Sequence, residues 1–149
     1  MRRAFGTLVA LFWGGVLLTP AGGADEAQGR IAVTAFGFKN QEGRAIVTIY
    51  RRGAHWLDSD RAYRSQAVPV RADSVAVTFD GLPYDTYAVN VVHDQNENGK
   101  LDMRWFPWPR LKEGAGVSNN HTRRGPPEYD KAKFEVDRDR VSIRIQMRY

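Results

Sequence analysis

The chain has 149 residues, 42% of them hydrophobic and 26% charged, with 22 Lys+Arg against 17 Asp+Glu and no cysteine. These are the values of an ordinary globular domain and exclude wholesale disorder; the lack of cysteine excludes disulfides, thiolate metal sites, a cysteine nucleophile and a lipid-modified N-terminal cysteine. The formal charge of +5 is spread along the chain in short pairs such as Arg51-Arg52 and Arg123-Arg124, and without an aromatic-interleaved basic stripe or a reading helix it points away from nucleic acid as a partner.

Residues 1–24 have the three parts of a secretory leader. Arg2 and Arg3 make a positive start, residues 4–19 are apolar and uncharged, and Ala21-Gly22-Gly23-Ala24 supplies the small residues a signal peptidase needs. Cleavage after Ala24 would leave residues 25–149 as a single domain with 20 Lys+Arg against 17 Asp+Glu, a net charge of +3. The apolar run is shorter than the roughly 20 residues of a membrane-spanning helix; an uncleaved anchor is the alternative. No later segment is apolar enough to span a bilayer. The expected location is periplasmic or secreted.

From there the dominant period is two. Ile31, Val33 and Ala35 open the domain, and Val47 and Ile49 follow a turn at Asn40-Gln41-Glu42-Gly43. Residues 54–66 lack alternation and are expected to form helical turns or a covering loop, with Trp56 and Leu57 against the edge of the domain. Val68 and Val70 flank Pro69, which suits an edge strand because proline cannot donate to a ladder. Val75, Val77 and Phe79 alternate with Ala76, Thr78 and Asp80; Tyr87, Val89 and Val91 alternate with Ala88 and Asn90. Between them, Leu82-Pro83-Tyr84-Asp85-Thr86-Tyr87 predicts a tyrosine corner in which the Tyr87 ring fills the core and its hydroxyl reaches backbone. Asp85, where such a turn usually has glycine, is expected to be left-handed. Phe134 and Val136 form a short strand, and Val141, Ile143, Ile145 and Met147 alternate with Ser142, Arg144, Gln146 and Arg148. About seven strands with turns between them predict an all-β fold, an immunoglobulin-like or transthyretin-like antiparallel sandwich with one long loop.

That loop runs from Asp94 to Lys131 and holds the chemistry. It opens His93-Asp94-Gln95-Asn96-Glu97-Asn98-Gly99-Lys100-Leu101-Asp102, which places oxygen ligands at alternate positions with a glycine for the sharp turn. Asp94, Asn96, Asn98, the Lys100 carbonyl and Asp102 are candidate ligands for Ca²⁺, with Leu101 tucked into the core as an anchor. The twelfth position is Trp105, where a helix-loop-helix site has a bidentate glutamate, so Glu113 is the nearest closing carboxylate. With two neutral Asn in the set, any site would be weak, in the roughly 10⁻⁴ to 10⁻³ M range. The other reading is a metal-free turn in which Asp and Asn cap their own backbone. Arg104-Trp105-Phe106-Pro107-Trp108-Pro109 then forms a stiff apolar hook. Trp105, Phe106 and Trp108 either plug the sandwich or contact a sugar or a partner. Ser118, Asn119 and Asn120 are further candidate binding residues in a Gly/Asn-rich turn, and Gly125-Pro126-Pro127 leads back to the sheet.

These residues together resemble a bacterial family, domain of unknown function 2141. The resemblance covers most of residues 25–149 and is strongest from Phe79 to Phe134. It rests on Leu82-Pro83 with Tyr87-Ala88-Val89, on His93-Asp94-x-Asn96-x-Asn98-Gly99-Lys100-Leu101-Asp102, on Glu113-Gly114-x-Gly116-x-Ser118-Asn119-Asn120, and on Gly125-Pro126-Pro127. It implies a secreted or periplasmic sandwich, similar in style to transthyretin-like and peptidase-associated β modules, and no particular activity. The chain departs from the family pattern at Asp85 and in the hook at 105–109.

Three functions fit. The first is a non-enzymatic binding or interaction module whose loop is held by Ca²⁺ or by its own hydrogen bonds, its partner an envelope protein or glycan. The second is a periplasmic hydrolase using Asp94, Asp102 or Glu113 with His93 or His121; it lacks a nucleophile with ordered partners. The third is a surface-associated structural protein whose aromatic hook touches glycan or membrane. The sequence favours the first.

Overall fold

Strands form wherever the period-two pattern sets an apolar row against a neighbour, and the computed structural model describes them over residues 27–104, 110–121 and 125–149. The first sheet joins β1 (Gln28–Phe36), β4 (Ser74–Pro83) and β10 (Arg140–Gln146) in the order β10-β1-β4. The second joins β2 (Arg44–Arg51), β3 (Arg64–Pro69), β5 (Asp85–Asp94) and β8 (Gly114–Val117) in the order β3-β2-β5-β8, with β9 (Phe134–Val136) also paired to β5. A small hairpin of β6 (Met103–Arg104) and β7 (Arg110–Leu111) stands apart. Among the described residues every pairing is antiparallel except β1 with β10, which run parallel.

The two sheets pack through the faces that alternation predicts. Ile31, Val33 and Ala35 meet Val47, Ile49, Val89 and Val91, with Phe79, Tyr87 and Ile145, in one continuous buried core. Tyr87 is fully buried and its hydroxyl donates to the Pro83 carbonyl at 2.8 Å, the expected tyrosine corner. Pro69 ends β3, an edge strand.

Four expectations change. Asp85 is not left-handed; it is the first residue of β5, and the positive φ of this corner belongs to Gly81 at 63°. Its carboxylate is occupied by Arg51 and Arg52, at 2.7 and 2.6 Å, so an extended backbone serves it better than a turn. Leu101 does not anchor in the core; it is 37% exposed. Residues 54–66 divide into turns, a single 3₁₀ turn at Ser59–Arg61, and the first residues of β3. The count of about seven strands also rises to ten among the described residues. The additional ones lie in the long loop, where Gly-Ala-Gly-Val gives no alternation to read. In β8 the glycines are there for contact: a Cβ on Gly114 would strike the Tyr149 ring at 2.5 Å, and one on Gly116 the Gln146 carbonyl oxygen at 2.7 Å.

That close approach fastens the sheets together. Ala115 and Arg148 exchange two backbone hydrogen bonds of 2.9 Å each, joining β8 to the residues after β10. β8 and β9 share one edge of β5, end to end. In the gap between them the Ser118 hydroxyl accepts from the Val89 amide at 3.0 Å and donates to the Ala132 carbonyl at 2.5 Å. A side chain thus continues the ladder where the backbone leaves it. One helical turn, α1 (Tyr129–Ala132), precedes β9.

Candidate functional site

The outer faces of the two sheets differ in kind. On the first, the cross-strand rows read Ser142–Ala32–Thr78 and Arg144–Thr34–Ala76, polar or small as a solvated face should be. On the second they read Ala67–Ile46–Val92–Ala115 and Ser65–Thr48–Asn90–Val117, followed by Tyr50–Ala88. Half of this apolar face has a cover. Trp56 and Tyr129 pack over Ala88, Val117 and Ala132, and the Trp56 ring meets Tyr50 edge-on at 5.1 Å and Tyr129 at 5.8 Å. The Trp56 indole N–H donates to the Pro127 carbonyl at 2.8 Å, tying the turn after β2 to the segment before α1. Gly53 makes room for this: its φ is +70°, and a Cβ would sit 2.8 Å from the Tyr129 ring.

The other half opens as a trough of about 820 Å³. Ile46, Thr48, Asn90, Val92 and Ala115 form its floor. Its walls come from Leu57, from Leu101, Met103 and Leu111 on the loop and β6–β7 hairpin, and from His121 and Pro126-Pro127. Leu57, Leu101 and Met103 stand 36%, 37% and 37% exposed. Exposed apolar surface is a feature of many contact sites, and the volume falls within the roughly 300–1,000 Å³ of small-ligand sites.

The Asp94–Asp102 loop frames one end of the trough, and its candidate ligands are tied up in hydrogen bonds within the loop. Asp94 is fully buried; it accepts the Asn98 amide at 2.9 Å and the Gly99 amide at 2.8 Å, and pairs with Arg44 at 3.2 Å. Asn96 and Asn98 each turn the side-chain oxygen onto a backbone amide two residues ahead, at 3.2 and 2.8 Å. Each also donates its side-chain amide to Asp102 at 3.0 Å. Glu113, 2% exposed, accepts the Gln95 amide at 2.9 Å and the Asp102 amide at 3.0 Å, strapping both ends of the loop. Lys100 is exposed and contributes its amide, to Asn98. Lys112 lies 3.4 Å from Asp102. The Asn98 amide leads in holding the Asp102 carboxyl below its ordinary value, with Lys112 and Asn96 adding to it against the opposing effect of burial. Among the described residues no three His, Cys, Asp or Glu side chains gather into a metal-binding group.

The remaining candidates are spent on the fold. Ser118 is fully buried between β5 and α1. Asn119, at φ 62°, donates to the carbonyls of Lys131 and Lys133 at 3.1 and 3.0 Å. Asn120, at φ 51°, donates to the Arg144 carbonyl at 3.0 Å and accepts the Gln146 amide at 2.7 Å; it also reaches the trough wall. The three form a clip across β5, α1 and β10. His93 faces the core, fully buried. Its Nε2 lies 2.8 Å from the Glu42 carbonyl, which can only accept, so Nε2 carries the proton and Nδ1 accepts from the Tyr149 hydroxyl at 2.6 Å. Trp105, Phe106 and Trp108 lie outside the described residues, as does the leader at 1–24.

The sequence held one signal for the trough. Residues 45–50 (Ala-Ile-Val-Thr-Ile-Tyr) and 87–92 (Tyr-Ala-Val-Asn-Val-Val) are nearly continuous apolar runs. Such runs mean burial on both faces of a strand. Reading only their inward-facing alternation leaves Ile46, Val92 and Tyr50 unexplained.

A family model described as an uncharacterized protein conserved in bacteria, DUF2141, matches residues 33–144. No curated protein and no solved structure matches the chain.

Proposed function

The chain belongs to DUF2141, a family of uncharacterized proteins conserved in bacteria, and from that premise we propose that it is an exported, non-catalytic binding module whose ligand lies in the trough on the outer face of the second sheet. The observation that carries this reading is the asymmetry of the sandwich. One outer face is polar and the other holds Ile46, Val92 and Ala115 in an open floor with Leu57, Leu101 and Met103 exposed around it. A face that only had to stay in water would not carry those residues. The leader-like residues 1–24 support export to the periplasm or beyond. The hydrogen bonds that hold His93 and Ser118 inside the fold weigh against the hydrolase.

The test is a neutral apolar dye such as N-phenyl-1-naphthylamine, whose emission rises on entering an apolar site. The protein should bind it with a dissociation constant in the micromolar range, and Val92→Asp, a charge placed in the middle of the floor, should lose the signal while keeping its far-ultraviolet spectrum. Equal emission from both proteins would remove the trough as the site.

Weak Ca²⁺ binding in the loop is a second reading, favoured by the convergence of Asn96 and Asn98 on Asp102. Two amide N–H donors now face the carboxylate where a cation would sit. Arg44 already balances Asp94, and Lys112 offsets Asp102, so little net negative charge is left for an ion. Affinity no tighter than roughly 10⁻⁴ M is expected. Calorimetry should show weak heats with calcium, and chelator should leave the melting temperature of the protein unchanged; tight binding or a large chelator effect would contradict the self-held loop.

A further inference from the structure

The charge of the trough says more than its shape. We propose that its ligand is a single-chain anionic amphiphile, a long-chain fatty acid or a close chemical equivalent, lying with its chain over Ile46 and Val92 and its head group at Lys100 and Arg148. This rests on the reading of the trough as the ligand site.

Among the described lining residues the charged side chains are Lys100 and Arg148, and no Asp or Glu is present. In a chain with 17 acidic residues, a cleft whose described lining carries cations and no carboxylate is a selective arrangement. Both cations are exposed, and no ion pair among the described residues engages either. Both border the row of Ile46, Val92 and Ala115. Arg148 pairs with Ala115, which shares a cross-strand row with Val92 and Ile46. Lys100 belongs to the loop that leaves β5 just past Val92. The charge therefore sits at the border of the apolar row of Ile46, Val92 and Ala115 and not along it, which is the polarity of an amphiphile rather than of a ligand charged throughout.

The floor also argues against a peptide. It is the face of a sheet whose backbone N–H and C=O groups are already paired within the ladders. Thr48 spends its hydroxyl on Ser65 at 3.1 Å, so Asn90 is the only hydrogen-bonding side chain of the floor left without a partner among the described residues. A peptide laid there would bury amides with little to receive them. An alkyl chain buries none.

The experiment is displacement of the neutral dye from the purified protein by three twelve-carbon probes, each below its micellar concentration: dodecanoate, dodecanol and dodecyltrimethylammonium. Dodecanoate should compete about tenfold more tightly than dodecanol, in keeping with a charge-assisted contact at the head group, and dodecyltrimethylammonium should be the weakest. Added salt should shrink the dodecanoate advantage. In Lys100→Ala/Arg148→Ala, two exposed side chains whose loss leaves the core intact, dodecanoate and dodecanol should compete equally and the dye should still bind. If the dye binds but the three probes compete alike, the head-group inference falls and the trough reading stands. If the folded protein fails to bind the dye, both fall. If the protein elutes as a dimer that Val92→Asp takes apart, the occupant is a second copy of the chain and the inference is overturned.

Discussion

At the scale of single residues, Asp85 shows how a side chain can override a turn preference. A turn entering a tyrosine corner favours glycine or a left-handed aspartate, yet Asp85 is extended because its carboxylate is gripped by Arg51 and Arg52 and caps the Thr86 amide at 2.8 Å. Burial by itself would raise its pKa; Arg52, the Thr86 amide and Arg51 together bring it below the ordinary carboxylate value. A carboxylate whose folded pKa is depressed contributes stability above its unfolded pKa and loses it as the pH falls through the folded one. Asp85→Asn should therefore cost about 1–2 kcal/mol at pH 7, and the gap to the parent should close in acid, as the pH falls through the lowered folded-state value. Urea melts at neutral and at acid pH measure this; a gap that persists in acid would mean the loss is steric rather than ionic. Tyr87 was legible without coordinates, because Leu-Pro followed by a tyrosine entering a strand leaves its hydroxyl one nearby backbone acceptor. Ser118 was not, because its two partners, Val89 and Ala132, lie 29 and 14 residues away.

At the scale of elements, the Asp94–Asp102 loop depends on a turn far from it in sequence. Gly43 ends the β1–β2 connection at φ +64°, and a Cβ there would run into the Asp94 carbonyl oxygen and the Gln95 backbone. The neighbouring Arg44 reaches both Asp94 and the Glu97 carbonyl, at 3.2 and 3.1 Å. The turn and the loop are therefore one packed unit. Gly43→Ala should destabilise the protein by about 2–4 kcal/mol through a strained φ and a backbone collision. It should also speed hydrogen exchange at the Asn98 and Gly99 amides more than at β1 and β10. A variant with the parent's melting temperature and exchange rates would show that the two segments are independent. The pattern of alternating oxygens was visible in the sequence. That Arg44 neutralises the first of them, and that Glu113 spends both its oxygens on amides, depends on pairing between segments that the sequence leaves unrelated.

At the scale of the whole molecule, the sandwich uses its two outer faces differently, one polar and one with an open apolar row. Expression in a bacterial host, with fractionation and mapping of the N-terminus, should place the protein outside the cytoplasm beginning at Asp25. Full-length protein in the cytoplasm would overturn the export proposal. The sequence by itself determined the β class, the inward rows of the core, the edge position of β3 and the tyrosine corner, since each follows from residues a few positions apart acting on their own backbone. Only the tertiary structure decided that β10 lies parallel to β1, that glycines in β8 let the sheets close, and that the second sheet has an apolar outer face half-covered by Trp56 and Tyr129. Those outcomes depend on which distant segments meet, and the faces of a strand acquire their meaning only from the neighbours that cover them or leave them open.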